Sequence, residues 1–84
     1  MVKIVEKRRL TPITSLYRVD APLIAHAARA GQFVIVRATD EGERIPLTIV
    51  DADPEAGWIT LVVQAVGKTT GLLCRLDVGD SVAD

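Results

Sequence analysis

The stretch Trp58-Ile-Thr-Leu-Val-Val-Gln-Ala-Val66 restricts the fold of this chain more than any other. It is nearly continuous in apolar and β-branched residues, with the turn residues Asp53-Pro54-Glu55-Ala56-Gly57 before it and Gly67 after it. A short run of this kind predicts a strand buried on both faces, as in a strand that closes a barrel or lies in a sandwich core.

The rest of the chain reads in the same terms. Met1 to Leu10 alternates imperfectly, with Val2, Ile4 and Leu10 apolar among charges, and Thr11-Pro12 stops it; this predicts a first strand. Ser15 to Asp20 alternates cleanly, with Tyr17 and Val19 on one side and Leu16, Arg18 and Asp20 on the other, until Ala21-Pro22 breaks it. Leu23 to Ala30 is Ala-rich, follows a proline and ends before Gly31, which predicts one or two helical turns. Gln32 to Ala38 is a third strand, turning through Asp40-Glu41-Gly42-Glu43 into a fourth at Arg44 to Asp51. Gly67 to Leu76 predicts a turn feeding a second short helix, and Val78 to Val82 the start of a last strand. Short strands joined by brief turns argue for an all-β chain in a small barrel, because closure removes edges that a sheet this small cannot otherwise protect.

Composition limits what such a barrel does. The 84 residues form one domain, expected to bury about 60–65% of the unfolded surface. Ten Lys plus Arg against eleven Asp plus Glu leave a net charge of −1, so there is no positive field to gather nucleic acid. Lys7-Arg8-Arg9 reads as the solvated end of the first strand. One cysteine, Cys74, excludes an internal disulfide and any multi-cysteine zinc or iron–sulfur site within the chain, and a reducing cytoplasm fits it. No apolar stretch approaches a membrane span or the apolar region of a signal peptide. His26 stands without a second ligand at metal spacing, Cys74 reads as a small core hydrophobe, and Ser15 and Ser81 have no histidine partner for nucleophilic catalysis.

Two segments can carry chemistry. Alternation puts Arg44, Pro46 and Thr48 on one face and Ile45, Leu47 and Ile49 on the other, with Arg44 and Thr48 about 13 Å apart at about 3.3 Å per residue. That suits a long ligand with an anionic end and a hydrogen-bonding ring; an edge strand guarded by a proline fits equally well. Val66-Gly67-Lys68-Thr69-Thr70 ends a strand and opens a helix, where free N–H groups and hydroxyls make either a phosphate cradle or a simple helix cap. Gly67-Lys68-Thr69 looks like the end of a Walker A loop, but Val62 holds the position of that motif's first glycine.

Taken together, Gly31-Gln32-Phe33-Val34, Arg44-Ile-Pro-Leu-Thr48, Asp51 and Val62-Val-Gln-Ala-Val-Gly67-Lys-Thr-Thr70 resemble the FAD-binding domain of the ferredoxin reductase superfamily. The likeness runs over essentially residues 1–84. It is nearest to the flavin subunits of NADPH-dependent ferredoxin:NADP oxidoreductases, also called sulfide dehydrogenases, with the electron-transfer subunits of dihydroorotate dehydrogenase as near relatives. The resemblance implies a six-stranded antiparallel Greek-key barrel with one or two short helices, acting as an FAD-binding module in electron transfer. It implies that Ile45, Pro46, Leu47 and Thr48 contact the flavin, with Thr48 near N5 in the catalytic position. Val62, Val63 and Gln64 would lie along the ring and ribityl chain, and Gly67, Thr69 and Thr70 would bind the pyrophosphate.

Two positions depart from the family pattern. Ile45 stands where many members carry Arg, with Arg44 one residue earlier as the candidate phosphate ligand, and Leu47 stands where plant-type members stack a Tyr on the flavin. The resemblance further implies a sixth strand that continues into an NAD(P)-binding domain, absent here, so the sequence reads as a barrel truncated near the start of its last strand. The implied partners are that domain and an iron–sulfur subunit or ferredoxin, with self-association through the open barrel edge. The competing expectation is a structural or interaction barrel that binds no cofactor in this form.

Overall fold

The computed structural model describes residues 2–27, 31–37 and 42–82. Along them run β1 (Val2–Thr11), β2 (Thr14–Asp20), α1 (Pro22–Ala27), β3 (Phe33–Val36), β4 (Ile45–Asp53), β5 (Trp58–Gln64), α2 (Lys68–Leu73) and β6 (Ser81–Val82). The last residues expected for the first helix, and the turn around residues 38–41, lie outside the described residues. The strands pair antiparallel in the order β3-β4-β5-β2-β1-β6. The meander β3-β4-β5 returns β5 to β2, and the long β2-to-β3 connection carries α1 across the end of the sheet, which makes a Greek key.

Period-two alternation decides which side chains enter the curved sheet. Tyr17 and Val19 of β2, Ile59, Leu61 and Val63 of β5, Ile4 of β1 and Ile49 of β4 are buried together, with Ala25 of α1 and Leu73 of α2 plugging the two ends. The turn into β5 rests on Gly57, whose φ of 80° suits glycine and whose carbonyl accepts the Ala21 N–H at 2.9 Å.

Burial on both faces of β5 holds for Ile59 to Leu61. Outer-facing Thr60 pairs with Arg18 of β2, whose guanidinium lies 4.4 Å from the Trp58 ring centroid and 3.0 Å from Glu6 Oε1. The run does not stay strand to its end. The Ala65 N–H bonds to Ile13 O at 2.7 Å, after which the chain turns and leaves Val66 74% exposed. Hydrophobicity placed the strand, but the reach of the β1–β2 hairpin sets where it stops.

The sheet is a half-barrel open along one seam. β6 pairs with β1 through Val2↔Val82 and Lys3↔Ser81, and among the described residues it forms no ladder with β3. Behind the seam lies an apolar cavity of about 180 Å³ bordered by Val2 and Val82 on one side and Val34 and Val36 on the other.

Candidate functional site

β4 changes partner halfway along. Its first half pairs with β3, from Val36↔Ile45 to Phe33↔Thr48, and its second half with β5, from Ile49↔Leu61 to Asp53↔Trp58. Past Ile49 and Leu61 the two strands part, so the stretches Ile45 to Thr48 and Val62 to Gln64 flank the split. The expected alternation is present: Pro46 and Thr48 are exposed, while Ile45 and Leu47 turn inward onto the core. Arg44, just before the strand, is exposed. Among the described residues the Thr48 hydroxyl and the Arg44 guanidinium have no hydrogen-bond or ion-pair partner, so both are available to a ligand.

On β5, Gln64 is exposed and Val62 half-buried, while Val63 is 2% exposed inside the core. Val63 therefore faces the core, while Ile45 and Leu47 turn inward but stay half-buried.

β5 leads into α2 through a turn whose two threonines play different parts. The Thr70 hydroxyl accepts the Val66 and Gly67 N–H groups at 3.0 and 2.9 Å and lies 3.3 Å from the Gly67 carbonyl, so it is spent on holding the turn. The Thr69 hydroxyl has no such engagement among the described residues. Beside the turn lies a groove of about 280 Å³ lined by Gly67, Lys68, Gly71, Leu72 and Arg75. A side chain on Gly71 would meet only open space, and two cations flank the groove.

The far end of α2 is anchored from below. The buried Tyr17 hydroxyl, with one proton to share, lies 2.7 Å from the Leu73 carbonyl and 3.0 Å from that of Leu76. Lys7 Nζ donates to Cys74 O at 3.0 Å and lies 5.6 Å from the Tyr17 ring centroid. Burial pushes the Tyr17 phenol up from 10.0 to about 12, with the Cys74 thiolate adding to the rise. This anchor is not legible in the order of residues, because the carbonyls lie 56 and 59 residues from Tyr17 along the chain.

The predicted segments thus flank the β4–β5 split and form the turn that follows β5. Lys68, Arg75 and Phe33 join them, although sequence reasoning did not count these three as site residues. The cations were legible as groove residues only once α2 was placed, and Phe33 only once the β3–β4 register was known. Among the described residues there is no group of His, Cys, Asp and Glu able to hold a metal ion, and no helix long and apolar enough to cross a membrane.

No family model matches the chain. It is 48% identical over 84 residues to an uncharacterized protein in the adh 3′ region of Clostridium beijerinckii, covering 100% of this chain and 28% of that protein. It is 40% identical over 82 residues to the dihydroorotate dehydrogenase B (NAD(+)) electron transfer subunit homolog of Thermotoga maritima, covering 98% of this chain and 29% of that one. Among solved structures, it superposes on one of NADH-dependent reduced ferredoxin-NADP oxidoreductase, described for flavin-based electron bifurcation, with a TM-score of 0.95 and 39% identity. That likeness covers 100% of this chain and 30% of the other. The cytochrome b5 reductase domain of Ulva prolifera nitrate reductase gives a TM-score of 0.74 at 25% identity, over 96% of this chain and 36% of that one. The chain thus spans about three tenths of the length of the curated relatives it matches.

Proposed function

The chain belongs to the ferredoxin reductase superfamily, and from that premise we propose that it is the flavin-binding module of an NAD(P)H/ferredoxin electron-transfer oxidoreductase, with FAD as its cofactor. One observation supports this most. The free Thr48 hydroxyl beside Pro46 and the exposed Gln64 flank the β4–β5 split, and β5 runs on from Gln64 into the turn whose groove holds Lys68 and Arg75. An apolar surface with one free hydroxyl, followed by a glycine-lined groove with two cations, matches the chemistry of a flavin ring, a ribityl chain and a diphosphate.

In this reading Pro46 and Val62 offer apolar surface to the ring, and Thr48 holds a hydrogen bond at N5. Gln64 serves the ribityl hydroxyls. The Gly67 turn with Thr69, Lys68 and Arg75 holds the diphosphate, and Thr70 keeps the turn in shape. Because β4 runs antiparallel to β5, Arg44, four residues before Thr48, leads from the ring towards the turn end of β5 and is a further cation for the diphosphate. The bound flavin supplies the exchange of electrons between two-electron and one-electron carriers, and the protein orients it and tunes it. An NAD(P)-binding domain and an iron–sulfur subunit or ferredoxin are the partners this role requires.

Titration of the full-length protein with FAD tests the proposal, and a colourless protein that takes up no flavin would leave a structural or interaction barrel. Thr48→Val keeps the shape and removes one donor. It is expected to leave FAD affinity within about threefold and to slow flavin reduction by NAD(P)H about tenfold, the scale of about 1.4 kcal/mol in the barrier. An unchanged rate would show that Thr48 does not face the reacting edge.

A further inference from the structure

Phe33 sits directly across the β3–β4 ladder from Thr48. The Ile49 N–H donates to Gln32 O at 2.7 Å, which puts the next pair, Phe33 and Thr48, in the non-hydrogen-bonded position. Side chains approach most closely there, with Cβ atoms about 4.5–5.5 Å apart. Both point outward, and Phe33 is 66% exposed. The next outward pair is Ile35, 43% exposed, with Pro46. Thr48 is therefore a lone free hydroxyl bordered by an aromatic ring, an aliphatic chain and a proline.

A strand at the rim of a sheet is a poor place for an exposed aromatic, because such edges invite aggregation unless something covers them. Leu47, one residue before Thr48, faces inward and lines the small interior cavity beside Tyr17 and Leu73. Being half-buried, it has less side-chain surface to offer a ring outside than the exposed Phe33.

We propose that Phe33 is the aromatic that packs against the flavin ring at Thr48, so that β3 as well as β4 and β5 forms the ring's seat. This rests on the flavin reading above and adds a residue to it. Phe33 touches the ring's apolar surface while the cross-strand Thr48 takes its polar edge, and the ladder register holds the two contacts at a set spacing.

The test uses the full-length protein and two probes, FAD and ADP, with Phe33→Ala, Phe33→Leu and Phe33→Tyr. Phe33→Ala is expected to weaken FAD binding about tenfold and to change the visible circular dichroism of the bound flavin, while ADP affinity stays at the wild-type value. Phe33→Tyr is expected to restore affinity and to quench the emission of the bound flavin, because a phenol in contact quenches it. Phe33→Leu keeps the apolar bulk and, should the alanine variant fail to fold, is expected to show the altered dichroism by itself. Wild-type FAD affinity and dichroism in both Phe33→Ala and Phe33→Leu would overturn the proposal while leaving the flavin reading intact, and an equal loss of ADP affinity would overturn it too. A wild-type protein that binds no flavin would instead overturn the functional reading on which it rests.

Discussion

Replacing Tyr17 by Phe isolates the anchor that ties α2 to the barrel. The ring stays, so no cavity opens in the core. What is lost is the hydroxyl 2.7 Å from Leu73 O and 3.0 Å from Leu76 O, the first of these contacts being buried. The Leu73 carbonyl keeps the Leu76 N–H at 3.1 Å, so the cost is that of a lost hydrogen bond and not of an orphaned acceptor, about 0.5–1.5 kcal/mol. Since each kcal/mol lowers Tm by about 4–8 °C in a domain of this size, Tyr17→Phe is expected to melt roughly 2–12 °C below wild type, by far-ultraviolet circular dichroism at neutral pH.

The pH dependence has a definite sign. Tyr17 keeps its proton to about pH 12 in the folded chain but to about 10 when unfolded. Between those values the unfolded state binds fewer protons, so this residue's stabilisation is full below pH 10 and is lost as pH rises towards 12. The gap in Tm between wild type and Tyr17→Phe should therefore narrow across that interval. Tyr17 is the only tyrosine in the chain, so tyrosinate absorbance reports it alone, with an expected midpoint near 12 when folded and near 10 in denaturant. A folded midpoint near 10, or equal melting of the two proteins at neutral pH, would refute the anchor.

The two threonines of the turn should separate. Thr70→Val removes the acceptor for two backbone N–H groups and is expected to cost about 1 kcal/mol of stability by chemical denaturation. Thr69→Val should leave the denaturation midpoint in place and weaken FAD binding several-fold, at about 1–2 kcal/mol for a charge-assisted bond; the reverse pattern would exchange their roles. Among the described residues β3 and β6 are the outer strands and form no ladder with each other; this seam should let the chain associate with itself as concentration rises, and sedimentation velocity giving a monomer at every concentration tested would count against that.

Within single segments, side-chain chemistry decided much of this protein. The alternation of Ser15 to Asp20 places Tyr17 and Val19 in the core and leaves Leu16 and Arg18 outside. The same period turns Pro46 and Thr48 outward and Ile45 and Leu47 inward, and Gly57 marks a turn that needs positive φ. These properties depend on a residue and its near neighbours, so they can be read from order alone. Register and long-range contact were not legible in that way. Nothing local tells Phe33 that it will face Thr48, Tyr17 that its hydroxyl will meet carbonyls more than fifty residues away, or Val66 that the hairpin ends before it. A shift of one residue in a ladder reverses every side chain of a strand, and only the simultaneous burial of all six strands selects among such shifts. The face of each strand was thus a property of the sequence, whereas the neighbours gathered on that face, and with them the make-up of the site, were decided by tertiary packing.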